Sequence, residues 1–93
     1  MSDYRIFETA EFQKQCKKLT TAARAIIEKK LSAYVYPQLR SAPFFGPNIK
    51  KLQGYNPQLW RYRIGNYRIF YCVDDAERIV FILTIDDRKD AYR

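Results

Sequence analysis

The chain of 93 residues has the length of one domain, and its 17 Lys and Arg against 10 Asp and Glu give a net charge of +7. The hydrophobic fraction of 47% and the aromatic fraction of 16% exclude a disordered chain, which would have few aromatic residues. With no His and only two Cys, Ser-His-Asp and Cys-His catalysis are excluded, and we expect no metal site and no cofactor. The excess of positive charge fits a polyanionic partner, either nucleic acid or an acidic protein.

The sequence gives no sign of a membrane segment. No apolar run approaches the length of a membrane span, and the first residues are strand-like and include acidic side chains, unlike a signal peptide. We therefore expect a cytoplasmic protein that makes no contact with a membrane and keeps both thiols reduced.

The first half of the chain predicts a short strand followed by two helices. Residues 4–7 form the strand, and Thr9 is a suitable N-cap for the first helix. Apolar residues recur at helical spacing over residues 12–19 and again over residues 23–35. We expect the second helix to end before Pro37, because proline lacks the backbone N–H group that a helix needs.

The second half predicts an antiparallel sheet. Residues 38–58 are irregular and rich in Pro and Gly, with a brief strand or turn at residues 50–52. A β-hairpin follows over residues 59–73, and residues 78–85 form a nearly continuous apolar strand. The order predicts one α+β domain over residues 1–93: a short N-terminal strand, a helical hairpin and an antiparallel three-stranded meander, with both helices packed on one face of the sheet.

The hairpin has a two-residue turn at Gly65-Asn66, which fixes its register. Its cross-strand pairs are Ile64 with Tyr67, Arg63 with Arg68, Tyr62 with Ile69, and Arg61 with Phe70. One face is aromatic and apolar and would meet the helices: Trp60, Tyr62, Ile64, Tyr67, Ile69 and Tyr71. The other face is basic and would point outward: Arg61, Arg63 and Arg68, together with Phe70 and Cys72.

Arg63 and Arg68 would lie directly opposite each other, where like charges repel. An anion bound between the two guanidinium groups would turn this repulsion into attraction, and phosphate matches their fork geometry. A single exposed arginine on a strand is ordinarily a solvated surface charge. Three on one hairpin face, two of them in direct opposition, favour a phosphate site.

Four motifs give the chain a resemblance to a known family. They are Leu52-x-Gly54, Arg61-x-Arg63, Gly65-x-Tyr67-Arg68 and the terminal Arg88-x-Asp90-x-Tyr92. With the order of elements, they resemble the RelE/ParE toxins of bacterial and archaeal toxin–antitoxin pairs over nearly the whole chain. In the RelE branch, such toxins enter the ribosomal A site and cleave mRNA by attack of a 2′-hydroxyl on the adjacent phosphate.

The resemblance implies a catalytic set of basic side chains and a C-terminal tyrosine. These positions match Arg61, Arg63, Arg68, Arg88 and Tyr92. The family often has Lys at the first two positions, and Lys can exchange protons whereas Arg stays charged. Many relatives also have Gly-His-Arg where this chain has Asp86-Asp87-Arg88, so the general base stays open between Tyr92, Asp86 and Asp87.

The resemblance also implies partners and alternatives. We expect a cognate antitoxin with an acidic, partly disordered segment that wraps the toxin, and a ribosome with its mRNA as target. Lys50 and Lys51 flank the expected groove and are candidates for RNA contacts, and Phe70 can stack on a base. The alternatives are a ParE-like toxin that inhibits DNA gyrase without cleaving nucleic acid, and an inactive basic binding module. ParE relatives usually lack the full basic-plus-tyrosine set, which favours the nuclease.

Overall fold

The computed structural model describes residues 3–87, and five strands in this range form one mixed sheet. The strands are β1 (Arg5–Glu8), β2 (Ile49–Leu52), β3 (Leu59–Ile64), β4 (Tyr67–Asp74) and β5 (Ile79–Asp87). Their order across the sheet is β1-β5-β4-β3-β2. Strand β1 runs parallel to β5, and all other neighbours are antiparallel. The predicted α+β class and the meander are therefore confirmed, and residues 49–52 extend the antiparallel part of the sheet by one further strand.

The hairpin of β3 and β4 has the predicted register. Its pairs include Arg61 with Phe70, Arg63 with Arg68 and Ile64 with Tyr67. Gly65 has a φ of +57°, a backbone conformation that suits glycine and that two-residue hairpin turns require. The alternation of faces along β3 and β4 follows directly from this register.

The helices begin as their capping residues indicate. Helix α1 (Ala10–Lys17) starts after Thr9, whose side-chain oxygen accepts the backbone N–H of Phe12 at 3.1 Å. The Thr9 hydroxyl also donates to the Ile82 carbonyl at 2.9 Å, so one side chain caps the helix and fixes it to β5. Helix α2 (Thr21–Lys30) starts after Thr20, which accepts the N–H of Ala23 in the same way.

The prediction that the second helix ends before Pro37 was wrong. A π-helical turn over Leu31–Val35 follows α2, and helix α3 (Tyr36–Ser41) continues beyond it. In this wider turn the Tyr36 N–H donates to the Leu31 carbonyl, five residues back. Pro37 then lies in the first turn of α3, the part of a helix in which proline is tolerated.

The helices pack on one face of the sheet and enclose the core between the two layers. The fully or nearly fully buried apolar residues from the helices are Phe12, Cys16, Ile27, Leu31, Val35 and Leu39, and those from the sheet include Tyr62, Ile64, Ile69, Tyr71, Val80 and Ile82. The Tyr71 hydroxyl donates to the Pro43 carbonyl at 2.6 Å, which joins the loop between α3 and β2 to the sheet. Within residues 3–87, no helix is both long enough and apolar enough to cross a membrane.

Candidate functional site

The basic side chains of the hairpin lie on the face of the sheet opposite the core. Tyr62 and Ile69 are 7% and 0% exposed, and each is flanked in its strand by residues that point the other way. The outer face at this point therefore belongs to Arg61, Arg63 and Arg68. We call these three residues the arginine face.

A row of three charges crosses strands β3, β4 and β5. Arg63 lies opposite Arg68, and Arg68 lies opposite Asp86. Arg68 Nη2 donates to Asp86 Oδ2 at 3.2 Å, with the two side chains 19% and 48% exposed. The carboxylate thus offsets part of the repulsion between the two arginines while leaving Arg63 at the exposed end of the row.

A second row lies next to the first and is basic and aromatic. Lys50 pairs with Arg61, and Arg61 pairs with Phe70. The guanidinium carbon of Arg68 lies 5.8 Å from the centre of the Phe70 ring, so the two rows meet at this ring. The arrangement offers cations from three strands with one aromatic surface between them.

Lys51 is not part of this arrangement. It pairs with Trp60, so its side chain leaves the strand toward the face where the helices pack. Successive residues of a strand point to opposite faces, and two adjacent lysines of β2 therefore cannot both line the same groove. Of the two lysines named from the sequence, only Lys50 shares the arginine face.

The described residues include only some of the candidates for proton transfer. Asp86 lies on the arginine face, whereas Asp87 pairs with Tyr67, whose side chain packs against the core. Arg88 and Tyr92 lie outside the described residues. The geometry therefore brings together Lys50, Arg61, Arg63, Arg68 and Phe70, and adds Asp86 as a counter-charge.

Sequence reasoning named Asp86 only as a possible base and missed its ion pair with Arg68. A β-bulge between β4 and β5 makes this pair. Tyr71 is opposite Ile82, but Phe70 is opposite Thr84, so one residue of β5 is passed over. The alternation of apolar residues along β5 carries no mark of this shift.

Two core tyrosines are excluded as proton carriers near neutral pH. Burial is the main cause that raises the pKa of Tyr36 far above its ordinary value, and the hydrogen bond to Glu8 raises this pKa further. Burial likewise raises the pKa of Tyr71, whose hydroxyl is already donated to a backbone carbonyl. Both phenols hold their protons at neutral pH, which leaves proton transfer to other groups.

A family model gives the chain its relatives. The model for the ParE toxin of the type II toxin–antitoxin system parDE matches residues 6–92. The chain belongs to the RelE/ParE superfamily of toxins. A search of curated proteins found no match.

Solved structures show that the fold of this toxin is that of RelE. The toxin–antitoxin complex RelBE2 from Mycobacterium tuberculosis contains a chain that is 23% identical, with 92% of this chain and 99% of that chain covered and a TM-score of 0.73. The isolated E. coli RelE toxin is 24% identical over 90% of this chain and 83% of that chain, with a TM-score of 0.63. The RelE–RelB complex from Pyrococcus horikoshii is 24% identical over 92% and 96%, with a TM-score of 0.60.

Proposed function

We propose that this toxin is a ribosome-dependent mRNA endoribonuclease that cleaves by attack of a 2′-hydroxyl on the adjacent phosphodiester. The observation that carries the proposal is the direct opposition of Arg63 and Arg68 on the outer face, with Lys50 and Arg61 in the adjacent row. Such an arrangement costs repulsion in the folded protein, and a bound phosphate relieves that cost.

The spacing of the two rows suits a single RNA strand. Arg61 and Arg63 lie two residues apart on one face of β3, which separates their Cα atoms by about 6.8 Å. Successive phosphates of an extended nucleotide strand have a comparable separation. An RNA strand that follows β3 would therefore place one phosphate at each row, and a base would stack on Phe70.

The chemistry needs three aids, and the proposal assigns each to side chains. Arg63 and Arg68 hold the nonbridging oxygens and stabilise the charge of the pentavalent phosphorane. Arg61 holds the neighbouring phosphate, and Arg88 assists the leaving oxygen. The general base is Tyr92 or Asp86, because arginine stays charged and cannot accept the proton, and Asp87 lies on the other face of the sheet.

The protein partner in this proposal is an antitoxin. The similar M. tuberculosis structure is the toxin–antitoxin complex RelBE2, and the P. horikoshii structure is a complex of RelE with RelB. A chain with a net charge of +7 and an arginine face attracts an acidic segment, which would cover the arginines and exclude RNA. The mRNA and the ribosomal A site are the competing partners.

Induced expression followed by mapping of mRNA 5′ ends tests the proposed activity. We expect cuts in phase with codons within translated messages. Arg63→Ala and Arg68→Ala should abolish both the cuts and the arrest of growth while the proteins still fold, as judged by circular dichroism. Arg24→Ala is the matched control, since it removes one arginine from an exposed ion pair on α2. Cuts and arrest that persist in both arginine variants would refute these roles.

The match to the ParE toxin family favours one second candidate function. A ParE-like toxin would bind DNA gyrase and would not cleave RNA. In the same expression experiment, this candidate predicts intact messages together with gyrase-dependent DNA damage. The two activities therefore give opposite results in one culture.

A further inference from the structure

A cavity of about 240 Å³ opens beside the arginine face, on the helix side of the sheet edge. Its floor is apolar and includes the buried side chains of Val35 and Tyr62. Its rim carries Lys30, Tyr34, Asn48 and Arg63. Two cations and no carboxylate occur among the described residues that line it, so the cavity attracts an anion.

The π-helical turn builds one wall of this cavity. Tyr34 lies inside the turn, and its side chain is 67% exposed although it is large and aromatic. Single π-helical turns within helices occur frequently at functional sites, because the extra residue redirects the side chains around it. Here the turn leaves an aromatic ring uncovered at the mouth of a charged cavity.

The residue just before strand β2 forms part of the opposite wall. Pairing between β2 and β3 stops at Ile49 and Tyr62, and the Arg63 N–H then donates to the carbonyl of Asn48 at 3.0 Å. This bond fixes the backbone of Asn48 beside Arg63. Asn48 also lines the cavity, and its side-chain amide carries both donors and an acceptor.

These features match the way proteins hold a single unpaired nucleotide. Bases of single-stranded RNA stack on aromatic side chains and form hydrogen bonds along their edges, while cations hold the phosphates. The volume lies below the about 300 Å³ of sites for drug-sized ligands, which suits one base. Tyr34 offers the stacking surface, Asn48 the edge contact and Lys30 a phosphate contact.

Arg63 joins this cavity to the arginine face. It lines the cavity and also lies opposite Arg68 across the hairpin. We propose that the cavity binds the base of a nucleotide next to the phosphate held at Arg63 and Arg68, with Tyr34 stacking on that base. This inference rests on the proposed RNA cleavage and adds a nucleotide-binding subsite to it.

Binding of mononucleotides to the full chain tests the subsite without the ribosome. Adenosine and uridine 5′-monophosphates are titrated while backbone amide signals are followed by NMR, with ribose 5-phosphate as the probe that lacks a base. We expect the signals of Tyr34, Asn48 and Gly65 to move, and at least one mononucleotide to bind about tenfold more tightly than ribose 5-phosphate. Equal affinity for the two kinds of probe, or movement confined to other residues, would overturn the inference.

Variants separate stacking from general charge. Tyr34→Ala should remove the tenfold preference for a base, and Tyr34→Phe should keep it. Lys30→Ala should weaken the binding of mononucleotides and of ribose 5-phosphate by a similar factor. Tyr55→Ala is the matched control, because Tyr55 is also an exposed tyrosine, 56% accessible, in the loop before β3. A preference that survives Tyr34→Ala would overturn the role of the ring.

Mapping of mRNA 5′ ends distinguishes a failure of this inference from a failure of the proposed function. If the toxin cuts messages but its cavity does not bind mononucleotides, the nuclease function is supported and the nucleotide subsite is refuted. If the toxin binds mononucleotides through Tyr34 but cuts no message, the nucleotide site is supported and the nuclease function is refuted. Cavity signals that move only with an acidic peptide would also overturn the inference, in favour of a protein partner.

Discussion

Replacing Asp86 by Asn should tighten the binding of RNA to the arginine face. Asp86 accepts a hydrogen bond from Arg68 at 3.2 Å and lies at the end of the row that begins with Arg63. An incoming phosphate must compete with this carboxylate for Arg68 and is also repelled by it. The amide has nearly the same size and carries no charge, so it removes both effects with little change in shape.

The magnitude follows from the geometry of the pair. Two unit charges about 4 Å apart interact by about 1 kcal/mol in bulk water, and the 48% exposure of the Asp86 side chain keeps the pair close to that limit. Side-chain entropy and salt reduce the net value of such a pair to about 0.5–1 kcal/mol. Relief of the repulsion between Asp86 and the phosphate adds a similar increment, so the total of ~1–2 kcal/mol corresponds to roughly five- to thirtyfold tighter binding.

The assay is fluorescence anisotropy with a short labelled single-stranded RNA, repeated over a series of salt concentrations. Glu77→Gln is the matched control, because it removes one carboxylate charge from the exposed turn at the other end of β5. We expect the gain for Asp86→Asn to shrink at high salt, since the Debye length falls to about 3 Å at 1 M. Equal affinities for the two variants would refute the competition, and so would weaker binding by Asp86→Asn.

The same variant also decides whether Asp86 is the general base. If Asp86 acts only as a counter-charge, the Asp86→Asn variant should bind RNA more tightly and still cleave translated mRNA. Loss of a general base typically lowers the rate by about 10²–10⁴-fold. Tighter binding together with such a loss would assign Asp86 to proton transfer.

Three further predictions concern the scaffold that holds the site. Tyr71→Phe removes the buried hydrogen bond to the Pro43 carbonyl and should lower the free energy of unfolding by about 1–3 kcal/mol in urea titrations. Thr9→Ala removes the cap of α1 and its bond to β5, and should cost about 1–2 kcal/mol, whereas Thr9→Ser should restore most of it. Because the folded-state pKa of Tyr36 is raised, its contribution to stability is complete below pH ~10 and is lost as the pH rises further, so Tyr36→Phe should flatten the decline in unfolding free energy above pH ~10.

The hairpin could be predicted from the sequence because its register depends on local signals alone. A two-residue turn at Gly65-Asn66 fixes which residues are opposite, and strict alternation then assigns each side chain to a face. The opposition of Arg63 and Arg68 follows from these two facts. No knowledge of the remaining fold is needed to derive it.

The partner of Arg68 could not be predicted, because it depends on contacts distant in sequence. Continued from Tyr71 and Ile82 without a bulge, the register of β4 and β5 would place Arg68 opposite Ile85. The bulge moves the pairing by one residue and brings Asp86 to that place. Periodicity shows which residues alternate, but it does not show where one of them is skipped.

The prediction that the second helix ends before Pro37 was wrong for a related reason. Proline is a reliable stop signal when the preceding turn is α-helical, since the carbonyl four residues back would lose its partner. The π-helical turn over Leu31–Val35 changes the hydrogen-bond spacing just before the proline, so a new helical segment begins there. No residue type announces such a turn, and the same unannounced turn exposes Tyr34.

The charged row explains why this surface should prefer a strand of RNA to a free phosphate. A single phosphate at Arg63 and Arg68 gains their attraction but must displace Asp86 from Arg68, so its net gain is small. A strand that also reaches Lys50 and Arg61 meets that cost only once and adds the second row as an intramolecular contact. Asp86 therefore sets a threshold that favours ligands with several phosphates. Its removal should strengthen the binding of inorganic phosphate and of a trinucleotide by a similar factor, since each ligand meets the cost at Arg68 once.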